Sequence, residues 1–379
     1  MMSFAFIGFG VLSMFGMILL EIFSALYVYQ VTGSLTITYA CVGLQMIAET
    51  ALTYALPGLL RRFGPAWLLV LSIPFRVAAF ALLLMPAPIL FAIFGASLLI
   101  SVSSTASEVP RGVLLAAVTA NKARGLNLGL FEAFRYGSLA AAPLIGGYAF
   151  ELGGFAVIAA LSTGLSLVAA AFGARVQAEL GGMPDAKEPA EILNIRVPWA
   201  IRILWWSTGV RYLGENCLYP LLAVILYAGT IKLGWIAAVA AITGIAFGAM
   251  ADRIRTDILL LLALSTLAVG WTMRSQPLSF ELALVVGLIC AIGGKAAGII
   301  EKKVSYDFGD RYKNNVHYIG RREREMLLAR AVVLVPCIVF GFGPDMAVIA
   351  VAIFLVGNIG AAVVSHFFQK RERRLQANG

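Results

Sequence analysis

Residues 4–30 read FAFIGFGVLSMFGMILLEIFSALYVYQ, and Glu21 is the one charged side chain among them. A helix needs about 20 apolar residues to cross ~30 Å of hydrocarbon, and this stretch is long enough. Lipid cannot hydrogen-bond backbone N–H and C=O groups, so the run must satisfy them internally, as a helix. Similar runs recur at 36–60, 66–86, 89–118, 126–150 and 154–174, and again at 200–228, 232–250, 257–274, 279–303, 326–343 and 345–368. They do not alternate in polarity, which argues against a transmembrane barrel. The chain of 379 residues is 60% hydrophobic and 13% charged, where a soluble domain carries about 25% charge. The expected class is an all-α membrane protein of twelve transmembrane helices.

Short breaks separate the runs at Pro86-Ala87-Pro88, Gly153-Gly154, Gly229-Thr230 and Gly343-Pro344, all turn signals. The polar stretch 174–197, with Gly181-Gly182, Pro184, Asp185, Lys187, Glu188 and Pro189, divides the runs into six and six. The expected organisation is an N-terminal six-helix bundle over 1–174, a cytoplasmic linker over 175–199, a C-terminal six-helix bundle over 200–368 and a cytoplasmic tail over 369–379. A second charged stretch, 301–325, holds His317; its composition allows either a surface helix or an irregular segment.

Net charge is +9, and its placement follows topology. Arg61 and Arg62, Lys122 and Arg124, Arg175, Lys187 and Arg196, Arg253 and Arg255, the cluster from Lys302 to Arg324, and Lys370 to Arg374 fall in alternate loops and the tail. The intervening loops carry only Lys232 and Arg274. Basic residues stay on the cytoplasmic side, so both termini are expected there, in a bacterial or archaeal cytoplasmic membrane. Nucleic acid is not the partner this pattern implies. Glu21 within the first run, with no basic region before it, marks a retained helix and not a signal peptide. Cys41, Cys217, Cys290 and Cys337 lie in or beside apolar runs with no disulfide or metal spacing, and no HExxH, Ser–His or phosphate-loop pattern points to an enzyme or a cofactor.

Two loops repeat half a chain apart. Residues 57–64 read PGLLRRFG after the second run, and 248–255 read GAMADRIR after the eighth. With Arg62 set on Arg253, both close a helix on the basic side. The fifth run adds Gly129, Ser138, Ala142, Pro143, Gly146 and Gly147, small residues that let helices approach closely, around a proline that kinks. Together these resemble the major facilitator superfamily, whose members carry a Gly-x-x-x-Asp-Arg-x-Gly loop motif, often echoed in the second half, and a Gly- and Pro-rich fifth helix. The resemblance implies two bundles related by a pseudo-two-fold axis. It also implies a gating role for Arg62, Gly64, Gly248, Asp252 and Arg253, and a packing role for Gly129, Pro143, Gly146 and Gly147. The first loop departs from the pattern, with Pro57 for the glycine and Arg61 for the aspartate. The C-terminal copy is therefore expected to do more of the latching. The fifth-helix pattern is associated with antiporters in the family.

Ionisable side chains in the hydrocarbon cost at least ~2.5–3.5 kcal/mol each and need a reason. The resemblance places helices 1, 4, 7 and 10 around the central cavity. Glu21, Glu108, Arg111, Arg211, Glu215 and Lys295 fall on them and form the candidate substrate and proton pathway. Glu108 and Arg111 at i, i+3, and Arg211 and Glu215 at i, i+4, share helix faces, as do Glu132 and Arg135. Glu21 has no such neighbour, so it either pairs with another helix or carries a proton for part of a transport cycle. Lys295, behind Gly293-Gly294, either snorkels to the interface or faces the cavity. Glu49 and Arg76 are expected to pair with each other. His366 and His317 read as surface residues. The leading expectation is a monomeric secondary active transporter that moves a small organic solute by alternating access, with proton-coupled export preferred. Uniport, symport and a non-transporting sensor or assembly factor on the same fold stay open.

Overall fold

The computed structural model describes residues 4–85, 89–118, 124–180, 197–227, 229–251, 254, 256–309, 315–357 and 360. It gives backbone alone at 4, 61, 112–113, 115–118, 124–136, 139, 177–180, 200, 248–251, 256–257, 302–309 and 315–320. The described chain is built of helices. They are α1 (Phe4–Thr32), α2 (Leu35–Phe63), α3 (Pro65–Leu84), α4 (Ile89–Val118), α5 (Arg124–Leu180), α6 (Trp199–Leu213), α7 (Tyr219–Tyr227), α8 (Thr230–Ala251), α9 (Thr256–Arg274), α10 (Phe280–Gly309) and α11 (Asn315–Phe340). A final helix, α12, covers Pro344–Gly357. Between α6 and α7 the winding widens into a π-helical segment, Gly214–Leu218.

Local chemistry explains the breaks. Ser34 caps α2, its hydroxyl accepting from the Ile37 amide at 3.3 Å. Gly64 ends α2 and starts α3 at φ 76°, a conformation few side chains tolerate. The runs 126–150 and 154–174 are two helical stretches within α5, separated by non-helical backbone at Gly153 and Gly154, with φ +64° at Gly154. That element continues to Leu180, past the expected boundary at 174. The charged stretch 301–325 largely extends α10 and begins α11. Linker residues 181–196 and tail residues 369–379 lie outside the described residues.

Among the described residues, α1, α2, α3, α4, α5, α8 and α10 each hold a segment long and apolar enough to cross a membrane, while α9 and α12 offer shorter apolar segments. The run 200–228 escapes that test because the π segment divides it. Phe91, Leu152, Phe340 and Ile353 point outward. A water-facing surface would make such exposure a liability; hydrocarbon makes it the favoured arrangement.

Helix α1 packs along α5, α3 along α4, α9 and α8 along α10, and α6 along α11. Two further seams, α5 on α8 and α2 on α11, join the early helices to the late ones. The core changes character along the molecule. At one end it is continuous, running from Phe23 and Leu26 through Phe150 and Phe155 to Leu221, Trp271, Leu334 and Val351. At the other end it separates. One cluster gathers Phe6, Phe9, Leu69, Ile73 and Leu114 from α1, α3 and α4. A second gathers Ile203, Leu204, Leu259, Leu260 and Ile300 from α6, α9 and α10.

Helices α6 and α11 are clamped near the separated end. Arg202 meets Glu325 with Nε to Oε1 at 2.9 Å and Nη2 to Oε2 at 3.2 Å, and Trp206 Nε1 donates to the same carboxylate at 2.8 Å. Glu325→Ala leaves two donors without their acceptor and the Arg202 guanidinium without its counter-charge. It is expected to cost about 1–2 kcal/mol, read as a lower unfolding midpoint in detergent.

Candidate functional site

The ionisable groups gather near mid-helix, where the early and late helices face each other. Glu21 on α1 accepts a hydrogen bond from Asn216 Nδ2 in the π segment at 3.3 Å. A π turn inserts an extra residue and re-aims the side chains beside it, which places Glu215 and Asn216 here. Glu49 on α2 is buried and accepts from Gln45 Nε2 at 3.1 Å. On α4, Arg111 and Glu108 form an ion pair. The Glu108 side chain keeps 36% of its exposure and that of Arg111 only 8%, so solvent reaches the carboxylate side of the pair. Arg330 on α11 donates to the Gly209 carbonyl of α6 at 3.2 Å and faces the Tyr212 ring at 5.8 Å.

Arg211 and Glu215 both rest against Gly294 of α10. A Cβ there would lie 2.6 Å from Arg211 Nη1 and 3.4 Å from Glu215 Oε1, so the glycine makes room for the pair. Arg211 also forms the polar end of a narrow cleft bounded by Thr208, Leu260, Ala297 and Leu355. Lys295 is half-buried one residue further along α10.

The expected Glu49–Arg76 pair is replaced by other contacts. Arg76 turns into the bundle of α1, α3, α4 and α5, fully buried, and donates to the Ser13 carbonyl at 2.9 Å and to Ser166 and Ser103 at 3.4 Å each. Serine hydroxyls and a backbone carbonyl accept from the guanidinium without neutralising it, and no charge spacing announces them.

Arg330 was absent from the sequence-based set although its signal is plain: it is the one charged residue in 326–335, MLLARAVVLV. Gln45 and Asn216 are neutral and gave no signal.

The small residues of α5 face two partners. A Cβ on Gly146 would strike Phe23 and Leu19 of α1. One on Gly147 would lie 2.6 Å from the Thr230 carbonyl oxygen of α8, and one on Gly234 would lie 2.7 Å from the Pro143 carbonyl oxygen. Thr230 Oγ1 donates to the Gly147 carbonyl at 3.0 Å, and Glu151 accepts from the Ile231 amide at 3.2 Å. Of the loop motif, Gly64 forms the α2–α3 turn and Arg62 lies 5.4 Å from the Phe63 ring. Gly248 and Gly129 have backbone alone, as do Glu132 and Arg135; Asp252, Arg253 and His366 lie outside the described residues. Among the described residues no group of three or more His, Cys, Asp or Glu could hold a metal ion.

Solved structures match nearly the whole chain. The nucleoside transporter NupG, crystallised as a point mutant, gives a TM-score of 0.67 at 12% identity and covers 95% of this chain and 99% of its own. A bacterial homologue of the iron transporter ferroportin, in an inward-facing state, gives 0.66 at 11% identity, covering 94% and 100%. The chain shares the fold of these two structures. No protein-family model and no curated protein matches the sequence. The likeness is one of fold, and both neighbours are transporters. Within this fold, the Glu21–Asn216 contact links α1 to the π segment, while Arg330 of α11 contacts α6. The charged cluster thus belongs to neither group of helices alone.

Proposed function

We propose that this chain is a secondary transporter of a small organic solute, working by alternating access, with proton-linked export as its mode. Twelve crossings form two six-helix bundles around the mid-helix charged cluster, and both termini lie in the cytoplasm. The carrying observation is the Glu21–Asn216 contact, a half-buried carboxylate of one bundle held by a neutral donor of the other. Protonating Glu21 changes that bond, which ties proton occupancy to the relation between the bundles. The split core supports an inward-facing state: continuous packing shuts the outer end, while the two inner clusters stand apart. The exposure of Glu108 fits a water path from the inner side.

The solute is first found by a thermal-shift screen of metabolites and drugs at two pH values, since a ligand of the folded form raises its apparent stability. The protein is then reconstituted and a pH gradient imposed. Wild type is expected to move solute faster along the gradient-driven direction, and Glu21→Gln to lose that dependence. Flux indifferent to the gradient in both proteins rules out coupling through Glu21. Alternating access has its own check across the α2–α11 seam, where Gly43 lies against Ile338. Crosslinking Gly43→Cys to Ile338→Cys is expected to stop transport; flux that persists in the crosslinked protein excludes rocking bundles.

A further inference from the structure

The sequence places Arg274 in a loop, yet in the structure it is only 5% exposed. Its guanidinium carbon lies 4.1 Å from the Tyr219 ring centre and 4.8 Å from that of Trp271. Neither Nε nor Nη1 of Arg274 meets a hydrogen-bond acceptor, and Trp271 Nε1 and Tyr219 Oη are likewise buried and unpartnered. Three side chains packed together from α7 and α9 therefore carry four buried polar atoms without hydrogen-bond partners. Every one of them has an N–H or O–H to donate, and Arg and Trp have nothing else to offer. The nearby titratable groups are Cys290, Tyr219, Glu215 and Tyr227, none in salt-bridge contact with Arg274. Ring faces attract the cation but leave its N–H groups unmet, and buried donors without acceptors are rare enough to require a cause.

We infer that Arg274, Trp271 and Tyr219 form a binding site for a small monovalent anion of halide size, separate from the mid-helix cluster. Such an ion accepts from several donors at once and neutralises the guanidinium. Water meets the donors but not the charge. A phospholipid headgroup is too bulky for a guanidinium this buried. The route in is short, because Gln276 and Pro277, just past Arg274, are exposed.

The test uses the full-length protein in detergent, moved from gluconate into chloride, bromide or iodide at constant ionic strength. A saturable rise in unfolding midpoint with each halide is expected. Iodide is also expected to quench a saturable part of the tryptophan fluorescence that is missing in Trp271→Phe. Tyr219→Phe removes one donor and should weaken halide binding about five-fold; Arg274→Gln should weaken it more than ten-fold. If Arg274→Gln does not fold, Tyr219→Phe and wild type still decide. A wild-type midpoint that ignores halide at constant ionic strength overturns the site, as does a response to anionic lipid alone, or a halide effect that Tyr219→Phe and Arg274→Gln both retain. Solute transport enters none of these readouts, so the result stands apart from the transport proposal.

Discussion

Gly147→Leu is expected to spring the α5–α8 seam and cut solute flux at least ten-fold, while the protein still folds. Even the first side-chain atom at this position would sit 2.6 Å from the Thr230 carbonyl oxygen and 3.1 Å from the Ile231 Cα. These are backbone atoms, so no rotamer change relieves the clash. The neighbouring contact at Gly234 is of the same kind, against the Pro143 carbonyl and the Leu144 Cα. The two backbones touch at consecutive turns, and the helices must part as a unit. Parting also breaks the Thr230–Gly147 and Ile231–Glu151 hydrogen bonds. A cost of about 3 kcal/mol placed only on the closed seam shifts a two-state equilibrium by roughly 150-fold. Spin labels at Leu152→Cys and Lys232→Cys, one on each helix, report the separation. Their distance should lengthen by several ångströms in Gly147→Leu and stay short in the otherwise native protein. Unchanged distances with unchanged flux would mean that this seam is not a gate.

That seam shows what a sequence holds and what it conceals. The lengths of the apolar runs were plain, because hydrocarbon thickness acts on each helix separately. Gly146 and Gly147 stood out as small residues in a pattern, and the structure sets them against two different helices, α1 and α8. Their partner glycine, Gly234, was silent, since one glycine in an apolar run has no spacing to mark it. The π turn at 214–218 was equally silent: it arises from packing, with Gly214 pressed under the Trp271 ring, and not from residues that favour a π turn. Among charges, partners within one helix were legible from spacing, as for Glu108 and Arg111. Partners between helices were not. Asn216 for Glu21 and three serine positions for Arg76 carry no charge, and chain distance says nothing about them. The break at Gly153-Gly154 was legible from its two glycines, and the backbone there is non-helical, with φ +64° at Gly154.

Arg76→Ala is expected to lower the unfolding midpoint by roughly 4 °C, the counterpart of about 3 kcal/mol in a chain of this size. Arg76 is fully buried and ties α3 to the Ser13 carbonyl of α1, to Ser103 of α4 and to Ser166 of α5. Alanine removes those bonds and leaves a void that apolar neighbours fill poorly, because Ser72, Ser162 and Ser107 are also buried in these helices. Between helices in lipid the apolar driving force is weak, so lost dispersion and hydrogen bonding make up most of the cost. Arg76→Met separates the two. It refills much of the volume and removes a charge whose burial is itself costly, so it should recover a large part of the stability. Arg76→Lys keeps the charge but offers one nitrogen to acceptors on three helices, and should fall below Arg76→Met. The order Arg, Met, Lys, Ala in unfolding midpoint is the expected result. If lysine matched arginine, charge alone would explain the site and the three-helix bracing would be wrong. If methionine fell to the level of alanine, volume would be irrelevant, and the guanidinium hydrogen bonds would carry the whole effect.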